Sequence, residues 1–103
     1  MSSAHEIIIF YKYTPIAEPK KFMDFHRELC VLLRITGRVL IAKEGINGTL
    51  EGTSAAIAAY ERRMREEDGS EGTHGNFSDL WFKHSPGTGN AFPKLKIKVR
   101  DEI

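Results

Sequence analysis

The chain has 103 residues, which is enough for one hydrophobic core and too few for two domains. A hydrophobic content of 41% and a charged content of 28% are typical of a folded globular protein and argue against disorder along the whole chain. The net charge of +1 gives no global argument for a nucleic-acid partner, so any such argument depends on where the charges lie.

Location signals are absent from the N-terminal part of the sequence. The longest apolar run there covers residues 7–11, which is too short for a secretion signal and far too short to cross a bilayer. We therefore expect a cytoplasmic protein with no membrane partner. The single cysteine, Cys30, excludes an intramolecular disulfide and is compatible with a reducing compartment.

The first elements along the chain are a strand and a helix. Residues 6–13 have an unbroken apolar centre, which indicates a strand in the middle of a sheet. Pro19 suits the first turn of a helix, because its missing N–H costs nothing there. Apolar residues at helical spacing extend this helix to about Ile35, and Gly37 is a suitable residue to end it.

A hairpin is predicted next, over residues 38–53, where a β-branched run, a glycine-rich turn and a second alternating run follow one another. Two placements of the turn compete, one centred on Glu44-Gly45 and one on Asn47-Gly48. We prefer the first, because the second leaves the following strand too short. Three glycines, Gly45, Gly48 and Gly52, weaken the strands. We therefore expect one of them to form a bulge or to permit a close backbone approach.

The second half of the chain begins with a predicted helix that Thr53 or Ser54 caps. This helix carries Ile57, Tyr60 and Met64 at helical spacing. The remaining segments are a long polar loop over 69–79, a short strand over 80–84, a flexible loop over 85–90 and a last strand over 95–100.

This order of elements, β-α-β-β-α-β plus one extra strand, predicts the fold class. It suits an α+β, ferredoxin-like (acylphosphatase-like) antiparallel sheet with two helices on one face, formed by residues 1–103 as a single domain. The other face of such a sheet is uncovered, so it meets solvent, RNA, a neighbouring domain or a second copy.

The last strand has the sharpest charge pattern. Cations alternate with apolar residues, so period two places the cations on one face of the strand: Lys94, Lys96, Lys98 and Arg100. If the apolar row faces the helices, this basic row lies on the open face, where phosphate contacts position RNA without reading its sequence. The alternative is a solvated strand whose lysines discourage edge-to-edge aggregation. Further RNA-binding candidates lie near strand ends or on the hairpin: Lys12, Arg38, Lys43 and Asn47.

Two known uses of this fold do not match the sequence. An RNA-recognition motif stacks bases on sheet aromatics; strand one offers Phe10 or Tyr11, but residues 47–51 contain no aromatic. An acylphosphatase needs an anion cradle with an arginine after strand one, and residues 14–19 contain neither glycine nor arginine.

No catalytic, metal or cofactor site is predicted. Cys30 lies in the middle of a helix, where backbone N–H groups are already used, so we interpret it as a packing residue. We expect His26 to be a partly buried residue beside the apolar stripe of helix one. The histidines show no metal-ligand spacing with cysteines or acids: His5, His26, His74 and His84.

The run Lys43-Glu44-Gly45-Ile46-Asn47-Gly48-Thr49, together with Phe10–Tyr13 and Phe92–Ile103, resembles the N-terminal domain of the rhodanese-related tRNA uridine hydroxylase family. The resemblance covers nearly the whole chain, in order. It implies a two-part protein in which a ferredoxin-like domain precedes a rhodanese domain whose cysteine loop carries the chemistry. It also implies oxygen-dependent hydroxylation of the wobble uridine in tRNA.

The leading hypothesis is therefore an N-terminal accessory domain that positions tRNA or braces the rhodanese domain of a longer protein. It contributes no catalytic residue itself. The alternative is a stand-alone binding module that uses its open sheet face for a protein partner or an RNA backbone. A small hydrolase is the least favoured reading, because the anion loop is missing.

Overall fold

The computed structural model describes residues 4–66 and 77–101. Within that part of the chain it has five strands and two helices: β1 His5–Tyr13, α1 Pro19–Leu32, β2 Thr36–Ala42, β3 Gly45–Thr53, α2 Ser54–Arg65, β4 Lys83–Gly87 and β5 Leu95–Val99. Most of the predicted polar loop over 69–79 lies outside the described residues. In the described segments, neither helix has the length and apolar content needed to cross a bilayer.

The five strands form one sheet in the order β4-β1-β3-β2-β5. Neighbouring strands are antiparallel except for β5, which pairs in parallel with β2. This confirms the predicted ferredoxin-like architecture, the central position of β1 and the presence of one extra strand, which extends the sheet beyond β2. Both helices pack on the same side of the sheet, where the core lies.

The core fills the space between the helices and the inward side chains of the sheet. Alternate residues of the strands are buried, so that Ile8 and Phe10 of β1 face the helices while Ile9 and Tyr11 do not. Each helix contributes a row of buried side chains to the core, and one loop residue adds to it: Phe22, His26 and Cys30 from α1, Ile57, Tyr60 and Met64 from α2, and Phe77 from the loop. Burying side chains of this size contributes about 1.5–3 kcal/mol each relative to exposure.

The end of α1 differs from the prediction. The helix ends at Leu32, and Arg34, with φ of 57°, is the left-handed residue that follows it; Gly37 also has a positive φ, of 136°, but lies three residues further on. The N–H of Ile35 then donates to the carbonyl oxygen of Cys30 at 2.9 Å, which closes the last turn. Gly37 lies inside β2, where a Cβ atom would approach the carbonyl oxygen of Thr49 to 2.2 Å. This glycine therefore permits close strand pairing instead of ending the helix.

The preferred hairpin placement is confirmed to within one residue. Lys43 and Glu44 form the two-residue loop that joins paired Ala42 and Gly45, and Asn47-Gly48 lies within β3. Gly45 provides the expected close backbone approach, since a Cβ atom there would meet the carbonyl oxygen of Lys12 at 2.2 Å. The turn is thus tied to the end of β1.

In the second half of the chain, the predicted cap of α2 is confirmed and the predicted position of β4 is wrong. Thr53 caps α2 as expected, because its Oγ1 accepts a hydrogen bond from the N–H of Ala56 at 3.1 Å. The predicted strand over 80–84 is misplaced, since β4 also includes residues 85–87, which we expected in a loop. Leu80 and Phe82 are core residues that precede the strand, and the sheet edge tolerates Pro86.

Candidate nucleic-acid interface

The sheet face away from the helices, called the open face below, is chemically divided. Strand pairing aligns its outward residues in rows that cross the sheet from β1 to β5. One row contains Ile9, Thr49, Arg38 and Lys96, and the next contains Tyr11, Asn47, Leu40 and Lys98. The β1 side of each row is therefore apolar or aromatic, and the β5 side is cationic.

The cationic side, called the basic half, consists of Arg38, Lys96, Lys98 and Arg100, all exposed. Arg38 pairs directly with Lys96, and adjacent strands are about 4.8 Å apart, so these like charges are close neighbours. A shallow depression of about 260 Å³ runs between the four cations and Leu40. No carboxylate within the described segments forms an ion pair with any of the four. Concentrating like charges without acidic partners favours an anionic ligand.

The opposite side of β5 explains why these cations face outward. Ile97 is buried against the core, and the Arg27 side chain of α1 donates to its carbonyl oxygen at 3.3 Å. Beyond the strand, the N–H of Arg100 donates to the carbonyl oxygen of Ile41 at 2.8 Å, which keeps Arg100 beside β2. The predicted division of the last strand into an apolar inner row and a basic outer row is therefore confirmed at its centre.

The other predicted site residues lie at different places. Asn47 is exposed on the open face, and Lys43 is exposed at the β2–β3 turn. Lys94 is exposed just before β5, and its carbonyl oxygen accepts the N–H of Gly37. Lys12 shares the helix side of β1 with Phe10 and forms an ion pair with Asp79, so the structure does not place it with the basic half.

A buried carboxylate that sequence reasoning missed shapes one end of the open face. Glu51 of β3 is only 2% exposed, and its two oxygens accept the N–H groups of Gly89 and Ala91, each at 2.9 Å. These bonds hold the β4–β5 connection across that end of the face. Phe92 in this connection lines a depression of about 240 Å³ with Arg38, Leu40, Asn47 and Thr49. Strand alternation places Glu51 outward, but nothing in the sequence shows that distant amides cover it.

Cys30 and His26 are both completely buried in the core. Burial raises the pKa of Cys30 to about 12, so its thiol stays protonated, which confirms the packing role. Burial lowers the pKa of His26 to about 3, and its Nε2 lies 2.5 Å from the hydroxyl oxygen of Tyr60. His26 is completely buried, so the expectation of a partly buried flanking residue was wrong. Helix α2 covers the residue, which the α1 sequence alone does not show.

His84 joins β1, β4 and α2 on the helix side. Its Nδ1 lies 2.7 Å from Oε1 of Glu6, and its Nε2 lies 2.7 Å from Oε2 of Glu61. The hydrogen bond from His84 lowers the pKa of Glu6, whereas burial raises that of Glu61. Because the two ring nitrogens point in opposite directions, the carboxylates cannot converge on one ion. Residues 4–66 and 77–101 hold no group of acidic, histidine or cysteine side chains suited to a metal.

The segment after β1 uses two of its amide groups to hold the β2–β3 turn. The N–H of Thr14 donates to the carbonyl oxygen of Glu44, and the N–H of Ile16 donates to that of Lys43, both at 2.9 Å. These two amides are therefore occupied by the β2–β3 turn and cannot bind phosphate.

Comparison with known proteins shows the family to which the chain belongs. Residues 5–103 match the family described as the UPF0176 acylphosphatase-like domain. A curated relative from Corynebacterium diphtheriae, named tRNA uridine(34) hydroxylase, is 48% identical over 98 residues, which is 95% of this chain and 29% of the relative. The chain thus spans less than a third of that relative's length.

Solved structures with low sequence identity share the fold. A protein titled "BlrB - a BLUF protein, dark state structure" superposes with a TM-score of 0.73 at 18% identity, covering 99% of this chain and 77% of that one. An acylphosphatase from Coxiella burnetii superposes with a TM-score of 0.55 at 12% identity, covering 95% and 94%. At such identities the likeness extends to the fold alone.

Proposed function

Because the chain belongs to the family of UPF0176 acylphosphatase-like domains, we propose that it is the N-terminal, tRNA-positioning domain of a tRNA uridine hydroxylase. The enzyme would hydroxylate uridine 34, the wobble position, in an oxygen-dependent reaction in the cytoplasm. The naming of the relatives supports the substrate. The fold and charge pattern of this chain support its part in the reaction.

The basic half carries the proposal. Residues two apart along a strand are separated by about 6.6 Å, so Lys96, Lys98 and Arg100 present three cations in a line. Arg38 lies beside this line and widens it. Such an array contacts successive phosphates of an RNA backbone, which supplies affinity and orientation rather than base identity. The net charge of +1 hides this local concentration.

Positioning, rather than catalysis, fits the rest of the domain. Cys30 cannot act as a nucleophile at neutral pH, and His26 is buried away from any substrate. The groups that perform the hydroxylation would then lie in the remainder of the longer protein, in the rhodanese domain that the sequence resemblance implies. A competing role, in which the same face only braces that domain, requires an acidic partner surface opposite the basic half.

A chimera tests this function in a complete enzyme. In it, this chain replaces the matching N-terminal segment of the Corynebacterium diphtheriae relative, with or without the substitutions K96A, K98A and R100A. We expect the substitutions to raise KM for tRNA about 10-fold or more and to leave kcat within about twofold, because phosphate contacts far from the reacting atoms bind substrate and transition state equally. Hydroxylated uridine is measured by mass spectrometry of digested tRNA.

The matched control removes the same charges from the helix side, where K20A, K21A and R62A replace exposed residues of α1 and α2. This control chimera should behave like the unsubstituted one. A fall in kcat with an unchanged KM, or equal effects of both sets of substitutions, would contradict a positioning role for the open face.

A further inference from the structure

Three exposed aromatic side chains lie on the β1 side of the sheet, away from the basic half. Tyr11 and Tyr13 project outward from β1 and are 68% and 64% exposed, and Trp81, just before β4, is 71% exposed. Together they are called the aromatic platform. Large aromatic rings are seldom left in water on a soluble domain without a use, since each has much apolar area to bury. A cluster of such exposed rings marks a surface that a ligand can cover.

The platform borders a groove suited to flat apolar groups. The groove has a volume of about 510 Å³ and is lined by residues from both sides of β1: Ile9, Phe10, Lys12, Asp79, Leu80, Lys83 and the platform itself. The rings of Tyr11 and Tyr13 are 6.4 Å apart and nearly perpendicular, at 78°. A planar group can therefore lie against one ring face while its edge meets the other ring.

The strand register links this groove to the basic half. Tyr11 and Lys98 lie in the same row of the open face, with Asn47 and Leu40 between them. From β1 to β5 there are three strand spacings, or about 14 Å. A nucleic-acid strand that places its phosphates on the β5 side therefore has its bases within reach of the platform.

We propose that the aromatic platform binds one or two unpaired nucleobases by stacking, while the basic half holds the phosphates of the same strand. This inference rests on the proposed RNA-binding function and names the form of RNA: single-stranded or looped. Paired bases cannot reach the rings, because in an A-form helix they are stacked on one another. The platform differs from an RNA-recognition motif because its rings come from β1 and the segment before β4, and β3 contributes no aromatic ring.

Cation placement favours RNA over an apolar protein partner. Lys83 stands opposite Ile9 at one side of the platform, and the basic half lies at the other. A protein docking there would have to bury or avoid these charges, whereas a nucleotide satisfies rings and cations at once. The tyrosine hydroxyl groups also remain able to bond to water or to ribose at the rim.

The single tryptophan of the chain, Trp81, gives a direct readout, because stacking of a base quenches indole fluorescence. The probes are a single-stranded oligoribonucleotide of about seven residues and the same strand annealed to its complement. We expect the single strand to quench Trp81 and to bind about 10-fold more tightly than the duplex. The variant Y11L/Y13L keeps apolar area but loses the rings, and should bind the single strand about 10-fold more weakly with its duplex affinity unchanged.

The variant Y11F/Y13F is the matched control, since it keeps the rings and should bind like the unsubstituted chain. Unchanged single-strand binding by Y11L/Y13L, or equal losses in the phenylalanine variant, would overturn the stacking proposal. If K96A/K98A/R100A weakens both probes in that case, the proposed function survives without stacking. If that charge variant leaves both probes unaffected, the proposed function itself fails. In the chimera with the Corynebacterium diphtheriae relative, Y11L/Y13L could weaken the contact between this chain and the relative's C-terminal part while RNA binding stays unchanged. That result would assign the rings to a protein contact and overturn the inference.

Discussion

Replacing Lys96, Lys98 and Arg100 with alanine is expected to weaken tRNA binding by this chain about 30-fold at moderate salt. Each exposed charge contact contributes about 0.7 kcal/mol, so that three contribute about 2 kcal/mol. The salt dependence should also flatten, because each lost phosphate contact lowers the slope of log K against log salt by about 0.7 to 0.9. Binding is measured by fluorescence anisotropy with a labelled anticodon stem-loop at several salt concentrations.

The fold should survive these substitutions, since all three side chains are exposed and the inner residue Ile97 is unchanged. The helix-side variant K20A/K21A/R62A has the same net charge and should keep both the affinity and the salt slope. Equal losses in the two variants would mean that only net charge matters. An unchanged affinity in the open-face variant would remove the basic half as the RNA-binding surface.

Acid should destabilise the domain through His26, and this is the second large effect. The pKa of this histidine is about 3 in the folded state, against an ordinary value of 6.5, because burial disfavours the imidazolium ion. Between these values the unfolded chain binds a proton that the folded chain does not. The free energy of unfolding therefore falls as pH falls, by about 1.4 kcal/mol per unit and by about 4 to 5 kcal/mol in all at pH 3.

The test compares the chain with its H26Q variant by urea unfolding at pH 7, 6 and 5, where most carboxylates stay ionised. Glutamine can keep a hydrogen bond to Tyr60 but does not titrate. The free energy of unfolding of H26Q should therefore change less with pH, with a slope that is smaller by the equivalent of about one proton. The two stabilities should converge as pH falls. Parallel curves for H26Q would show that burial does not hold His26 neutral.

The features predicted correctly from the sequence have local causes. Pro19 starts α1, Thr53 caps α2, and the Lys43-Glu44 turn with Gly45 forms the hairpin within one residue of its predicted centre. The unbroken apolar centre of β1 likewise reflects its position inside the sheet, where it pairs with β3 on one side and β4 on the other. In each case the deciding residue lies within or beside its own element, so its chemistry is visible in a short window of sequence.

Features decided by distant contacts were not predicted. Gly37 looked like a helix end, yet it is required by the close approach of β3. The apolar character of Leu80 and Phe82 suggested a strand, but these residues fill the core beside α2 and the true edge strand follows them. Glu51 is another case, because its partners lie 38 and 40 residues further along the chain.

For the same reason, only the basic part of the candidate site could be predicted from the sequence. Period two within β5 was enough to separate the cations from Ile97. Which of Phe10 and Tyr11 faces outward depends on the side that the helices cover, and the sequence left that open. The same ambiguity applied to Lys12, which lies on the helix side with Asp79. Trp81 comes close to Tyr11 and Tyr13 because the adjoining β4 pairs with β1, which sequence spacing does not reveal.

The most direct test of the account is an amide chemical-shift titration of this chain with a tRNA anticodon stem-loop, at about 50 and about 200 mM salt. We predict shifts that weaken with salt, concentrated from Lys96 in β5 to Arg100 just beyond it, at Arg38 and Asn47, and beside the aromatic platform. The exposed surfaces of α1 and α2 should remain unshifted. An absence of shifts, or shifts confined to the helix side, would contradict the claim that the open face positions tRNA.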